Sequence, residues 1–317
     1  MKGALIPRAR QTAASLVIGV CMAGAPVLAA PPLETALQSV VSVLPEWPAD
    51  ARRTEEPEAS GVVLLDGATV VTALHVVDKA LGVRVRTAEG TIVTAEIAGR
   101  DKATDIAVLK LPVTLIPLEA AANGPALGDR VCAIGNAFGL GLSVTCGSVS
   151  GVHRAGTGFN AIEDFVQTDA AVNPGASGGA LVTPDGKFVG LLSAIFTKTS
   201  DANIGVNFAV SAPLALQVAG ELKEKGRIIW PSSGLRLEPA PGRGQTGMAG
   251  ARVVAVAPGF PGEAAGIRSG DVILRAGGRR VMQPAEFLSA FATTRKGEAL
   301  KVDITRDGAE QALSIRP

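Results

Sequence analysis

The chain has 317 residues, 47% of them apolar and 19% charged, with a formal net charge of +1. That balance excludes a strongly one-signed chain and gives no sign of nucleic acid or an anionic membrane as partner, and the length exceeds one typical domain. Tyrosine is absent and aromatics make up only 3%, so the cores must be built from Val, Leu, Ile and Ala.

Met1 to Ala30 has the layout of an export signal. Lys2, Arg8 and Arg10 form a basic start, Ala13 to Val20 an apolar core, and Val27-Leu28-Ala29 a small-residue cleavage point. A retained membrane anchor is the alternative, but Gly19, Gly24 and Pro26 interrupt the apolar run. Cys21 invites lipid attachment, against which stands the bulky Val20 before it. The expectation is a signal peptide over 1–29 and a mature protein exported to the periplasm.

Leu33 to Leu44 suits either a short helix or a first strand, and the Pro-rich, charged Glu46 to Glu58 reads as a surface loop. Gly61 to Leu65 and Thr69 to Thr72 flank Asp66-Gly67, a hairpin signal. Val83 to Thr87, Thr91 to Ile97 and Ile106 to Leu111 continue the strands. A second set follows at Arg130 to Ile134, Ser143 to Gly151, Phe165 to Gln167, Gly179 to Val182, Lys187 to Phe196 and Gly205 to Val210. Two sets of short strands with turn punctuation predict two packed β-barrels or sandwiches. A helix with Ser211 as its cap then runs to Lys225 and stops at Gly226.

Ser177 stands in the turn-rich string Asn173-Pro174-Gly175-Ala176-Ser177-Gly178-Gly179. Glycines let the backbone turn sharply there and bring amide N–H groups to one point. Two such amides can stabilise the oxyanion of acyl transfer while the serine attacks. Taken alone, the string is equally a Gly-rich turn with an incidental serine, so partners must decide. Thr72-Ala73-Leu74-His75-Val76-Val77 puts His75 in a short helical turn at a strand end, and Thr104 to Lys110 puts Asp105 at a strand start. A serine hydroxyl needs an imidazole to take its proton and a carboxylate to orient that imidazole. The chain order His, Asp, Ser is that of chymotrypsin-like double barrels. His153, the other histidine, falls in a loop and matches no catalytic motif.

On these strings, with Ile134 to Gly141, Ser143 to Ser150 and Ile204 to Ala209, the chain resembles the HtrA/Deg serine proteases across nearly its whole mature length. The resemblance implies a mainly β protein whose chymotrypsin-like double β-barrel spans 30–230, with the active site in the cleft between barrels. It implies His75, Asp105 and Ser177 as the catalytic residues, and the N–H groups of Gly175 and Ser177 as the oxyanion hole. Ser193, with Ala194 and Ile195, would lie on the strand bordering the specificity pocket, Ser193 within reach of Asp105. Ala171 stands six residues before Ser177, where trypsin-like enzymes carry an Asp that selects Lys or Arg. With Val172, Ile195 and the Ile204 to Phe208 segment it predicts a shallow apolar pocket preferring Val, Ala, Ile or Leu before the cut.

Two positions depart from the family. Ala176 and Ala73 stand where Asn is usual. Neither side chain makes a bond in the reaction, so the change bears on how firmly the oxyanion loop is held. In chymotrypsin-like zymogens an Asp at the place of Ala176 pairs with the newly freed amino terminus, which an alanine cannot do. Activation is therefore expected through ordering of the loops around the site rather than through N-terminal clipping.

Gly234 to Pro317 has the length of a small domain and a different texture: a strand at Ala251 to Val256, the string Ala265 to Leu274, a Gly277-Gly278 turn, a helix at Pro284 to Thr293 and a strand at Lys301 to Arg306. Residues 234–317 resemble an α+β PDZ domain of the bacterial, permuted kind. Such a domain binds an extended chain terminus by adding it to a sheet edge beside a helix. By that likeness Met248 to Val253, with Gly250, Ala251, Arg252 and Val253, and the helix face of Phe287, Leu288 and Phe291 would line the groove. The alternative is that Phe287 and Phe291 are core.

Pairing Ile134 with Val144 across the Gly139-centred loop sets Cys132 opposite Cys146, either as a disulfide or as two buried thiols. No Cys/His cluster has ligand spacing, so neither a metal nor another cofactor is expected. The reading is a serine endopeptidase that degrades misfolded or damaged envelope proteins, regulated by peptide C-termini at its PDZ domain. The alternative is a weakly active or inactive protease-fold chaperone or stress sensor that binds unfolded chains. The family likeness implies a homotrimer or higher assembly joined through the first residues after the signal, although Trp47 is the only aromatic before Phe138.

Overall fold

The computed structural model describes residues 32–48, 58–195, 204–241, 248–295 and 297–317; the expected signal peptide lies outside the described residues. The segment that suited a helix or a strand holds both: α1 (Pro32–Leu37) and then β1 (Val40–Glu46). β2 (Ala59–Leu64), β3 (Thr69–Ala73), the single turn α2 (Leu74–Val77), β4 (Gly82–Arg86), β5 (Ile92–Asp101) and β6 (Ile106–Lys110) follow. They close a barrel in the order β1-β2-β3-β6-β5-β4.

The second barrel repeats that plan. β7 (Arg130–Gly135), β8 (Ser143–Arg154), β9 (Phe165–Thr168), β10 (Ala180–Val182), β11 (Phe188–Ile195) and β12 (Asn207–Ser211) close in the order β7-β8-β9-β12-β11-β10. Each barrel fills its interior with aliphatic side chains, Val41, Val63 and Leu109 in one and Val131, Leu181 and Leu192 in the other. A further cluster, with Val62, Val71 and Ile106 from the first barrel and Ile134, Leu191 and Val210 from the second, joins the two. The double barrel follows from strands that are apolar on both faces: every residue of β2 and β3 is buried.

α3 (Ala212–Lys225) sends Leu214, Val218 and Leu222 and the neighbouring row of Ala215 and Ala219 into the joining cluster. That is helical spacing with one buried face, and each fully buried Leu or Val contributes roughly 1.5–3 kcal/mol. Gly226 ends the helix in the left-handed region at φ 68°, as its sequence position predicts. Ser211 precedes the helix but does not cap it with its side chain; the hydroxyl donates to Asp164 Oδ2 at 2.6 Å instead.

The last unit is a sheet in the order β13 (Leu235–Pro241), β14 (Met248–Val256), β15 (Val272–Ala276), β17 (Leu300–Arg306), β18 (Ala309–Ile315), with the short β16 (Arg279–Arg280) paired to β15. The one-turn α4 (Pro261–Ala264) precedes β15, and α5 (Pro284–Ala292) packs against β13, β14 and β15. α5 begins with a reciprocal cap between Gln283 and Glu286.

Cys132 and Cys146 face each other in the β7–β8 register and are joined by a disulfide, not held as two buried thiols. Cys132 is buried and Cys146 is exposed.

Candidate active site

The pairing of Ala73 in β3 with Ile106 in β6 brings the start of α2 beside Asp105. Helix starts leave N–H groups without intrahelical partners, and Ala73 has no side chain to take one. Asp105 takes two from across the sheet. Its carbonyl accepts from Leu74 N–H at 2.8 Å and its Oδ1 from His75 N–H at 2.9 Å. Its Oδ2 then lies 2.6 Å from His75 Nδ1, so one aspartate holds both the helix turn and the imidazole. Asp105 does this from φ 58°, a left-handed conformation that Asp tolerates better than most residues. A cleft of about 440 Å³ opens beside the pair, walled by His75, Asp105, Lys102, Phe159, Asn160 and Ser193.

Ser177 comes from the loop before β10. Its neighbour Gly178, at φ 82°, lies against the end of β3, where a Cβ would fall 2.4 Å from Thr72 Oγ1 and 3.0 Å from Ala73 N. Only a glycine lets this loop approach the strand from which His75 springs. Gly175, at φ 92°, is crowded in the same way by Asn136 O at 2.4 Å. Among the described residues the N–H groups of Gly175 and Ser177 donate to no acceptor, and no hydrogen bond joins Ser177 Oγ to His75. Ser193 occupies the bulge between Leu192 and Ala194 in β11, where one extra residue re-aims a side chain. It shares the cleft with Asp105 but, among the described residues, makes no hydrogen bond to it.

Of the residues expected to wall the specificity pocket, the side chains of Ala171, Val172 and Ser193 are described. Ala171 is exposed and its carbonyl accepts from Thr145 Oγ1 at 2.5 Å. Val172 is 2% exposed and belongs to the second barrel's core, which corrects its reading as a pocket wall. Ala194 and Ile195 continue β11 opposite Phe208 and Asn207, their side chains outside the described residues.

The PDZ groove also needs correction. Gly250, Ala251, Arg252 and Val253 lie on β14, which pairs with β13 on one side and β15 on the other, so this strand has no edge to offer. The sheet ends at β13 and β18; β13 is the edge beside β14 and α5, and Pro239 and Pro241 within it have no N–H to donate. Phe287 and Phe291 are buried and stacked with ring centroids 5.9 Å apart, which makes Phe291 core; Leu288 is 43% exposed on the same helix.

Several polar contacts escaped the sequence reading. Glu163, buried between Ile162 and Asp164, accepts from Thr157 Oγ1 and from the N–H groups of Thr157, Phe159 and Asn160 at 2.7–3.0 Å. It thereby fixes the loop that presents Phe159 and Asn160 to the cleft. Glu58, read as a surface charge, accepts from Asn136 Nδ2 at 2.6 Å and from Arg86. His153 lies at the end of β8 rather than in a loop, its Nδ1 2.8 Å from Asp164 Oδ1. Arg279 of β16 reaches the same oxygen at 3.3 Å. A buried acid flanked by apolar residues was the signal available for Glu163 and Asp164.

Fold and site together define a trypsin-like double barrel carrying a PDZ domain, and comparison with known proteins agrees. A trypsin-like peptidase domain model matches residues 59–191 and a PDZ domain model residues 202–316. The periplasmic serine endoprotease DegP of Escherichia coli K12 is 35% identical over 265 residues, covering 81% of this chain and 56% of DegP. HhoB of Synechocystis sp. is 31% identical over 290 residues, covering 86% of this chain and 69% of HhoB. Among solved structures, the HtrA-type protease AlgW with a tripeptide matches at a TM-score of 0.69 and 31% identity, covering 90% of this chain and 96% of that one. The serine endoprotease from Yersinia pestis matches at 0.59 and 32%, covering 90% and 95%. The chain belongs to the HtrA family of trypsin-like serine proteases, and spans about 56% of the length of the DegP relatives it matches.

Proposed function

We propose that the chain is a serine endopeptidase of the periplasm that cleaves misfolded or damaged envelope proteins, with a protease unit over 30–230 and a PDZ unit over 234–317. Ser177 Oγ attacks the scissile carbonyl as its proton passes to His75 Nε2. Asp105 keeps His75 in the tautomer with Nδ1 protonated and stabilises the imidazolium that forms. The oxyanion faces the N–H groups of Gly175 and Ser177. His75 then protonates the leaving amine, and water repeats the cycle to release the acyl group from Ser177. The pocket before the cut takes a small aliphatic side chain, since Ala171 supplies no counter-charge.

The observation that carries this reading is the double grip of Asp105 on His75, with both carboxylate oxygens engaged and the imidazole opening onto a cleft. Ser177 Oγ is not hydrogen-bonded to His75 in this state. Catalytic hydrogen bonds often tighten only with substrate, so the same observation supports a resting site that loop ordering completes. A peptide C-terminus would add to β13 over Leu235 to Glu238, beside Leu288, and bias that ordering.

Casein degradation by the chain and by Ser177→Ala, with and without a peptide ending in apolar residues, tests the reading. Hydrolysis and organophosphonate labelling that vanish in Ser177→Ala, with rates raised by the peptide, are expected. A folded chain that neither labels nor cleaves would instead make it a protein that binds unfolded chains without cutting them.

A further inference from the structure

Ala176 gives the oxyanion loop a methyl group where the family usually has an amide side chain, and that methyl is buried in the second barrel's core. Resting on the protease reading above, we infer that Ser60 is the positioning residue that holds this loop in shape, through a hydroxyl bridge from the first barrel to the carbonyl of Gly175.

Ser60 is fully buried on β2, and every polar group it owns is spent at the junction of the barrels. Its N–H donates to Ser177 O at 3.0 Å and its carbonyl accepts from Thr72 Oγ1 at 2.7 Å. Its hydroxyl accepts from Asn136 N–H at 2.8 Å and donates to Gly175 O at 2.8 Å. The direction of that chain is forced. An amide can only donate and a carbonyl can only accept, so the single hydroxyl proton has one place to go.

These contacts orient the peptides that flank the two oxyanion donors. Gly175 O belongs to the 175–176 peptide and Ser177 O to the 177–178 peptide, and Ser60 holds both. The peptide between them is fixed by Gly179 N–H on Ala176 O at 2.9 Å, and the peptide before them by Phe138 N–H on Pro174 O at 2.7 Å. Among the described residues, what remains unengaged is the pair of N–H groups of Gly175 and Ser177. Remove the Ser60 hydroxyl and Gly175 O becomes a buried acceptor without a partner, a costly state that a peptide rotation relieves. Glycine at 175 offers little resistance to that rotation. Further out, Asn136 is itself anchored by Ser42 Oγ at 3.0 Å and by Glu58, which also binds Arg86. The loop is thus tethered through Ser60 to a charged pair at the edge of the first barrel.

A residue acting this way alters the transition state more than substrate binding. In Ser60→Ala of the full chain, kcat per site labelled to completion by an organophosphonate falls by roughly 10- to 100-fold while KM stays within about twofold, somewhat less than loss of an oxyanion donor itself. Affinity for a peptide boronate, which forms the tetrahedral adduct, falls in step. Ser60→Thr keeps the hydroxyl and recovers most of the rate, and hydrogen exchange over residues 173–179 quickens in Ser60→Ala only. Should Ser60→Ala not fold, Ser60→Cys makes the same test with a weak donor at nearly constant volume. A loss confined to KM, or a lower melting temperature with unchanged kcat per labelled site, makes Ser60 a packing residue and overturns the inference. If the chain has no Ser177-dependent hydrolysis, the protease reading fails separately. Exchange over 173–179 then still decides the clamp, surviving if Ser60→Ala quickens it and lost if it does not.

Discussion

Asp105 serves two tasks with one side chain, capping α2 through Oδ1 and holding His75 through Oδ2. Asp105→Asn separates them. The amide oxygen can still accept from His75 N–H, but its NH2 meets Nδ1 and favours the opposite tautomer, which leaves Nε2 protonated and unable to accept from Ser177. We expect kcat to fall by about 10⁴-fold with little change in KM or melting temperature; a loss matched by unfolding would assign Asp105 a capping role alone. As candidates, His75, Asp105 and Ser177 were legible because each sits in its own string with its own local geometry, a strand-end turn, a strand start and a glycine-flanked loop. Ser60 and Glu58 were not. A serine inside an apolar strand looks like strand filler and a glutamate after prolines looks like solvent-facing charge, and only tertiary contact, within the first barrel and across to the second, gives either a partner.

At the scale of the element, α3 is where local pattern and tertiary contact agree most closely. Its Leu222 lies directly over Gly99, where an added Cβ would come within 2.9 Å of the leucine's own Cβ. β5 shifts register beside that glycine, between Ile97 and Gly99, so the helix and the bulge fit each other. Leu222→Ala should cost about 2–5 kcal/mol, read as a lower denaturant midpoint at unchanged slope; a cost near zero would mean that the helix closes over the gap. The PDZ strands illustrate the opposite case. The string Ala251 to Val256 was legible as a strand, but whether a strand lies at an edge depends on which others pair with it, and no local string records that. The same limit explains Val172 and Phe291, whose apolar character fits a groove wall and a core equally well.

Across the whole molecule, the PDZ unit touches the protease unit through Asp164, a buried carboxylate shared by His153, Ser211 and Arg279. Burial opposes its ionisation, but the hydrogen bond and charge of His153, the hydroxyl of Ser211 and the charge of Arg279 outweigh that and hold the carboxyl below its ordinary range. A depressed folded value means that the stabilisation is fully present above about pH 4, where the unfolded carboxyl titrates, and is lost as pH falls through the folded value. The melting-temperature advantage of the native chain over Asp164→Asn should therefore shrink as pH falls below about 4; an advantage that persists undiminished in acid would deny Asp164 its charged partners. The disulfide acts at this scale as well. It closes a segment of sequence separation 14 that contains Asn136 and Phe138, the two residues whose N–H groups grip Ser60 Oγ and Pro174 O. In a reducing cytosol both sulfurs stay as thiols, and the hairpin beside Ser177 relies on its ladder alone. On the proposed periplasmic reading, the covalent link would record a border crossing: before export, the chain would lack one of the fastenings of the loop that carries Ser177.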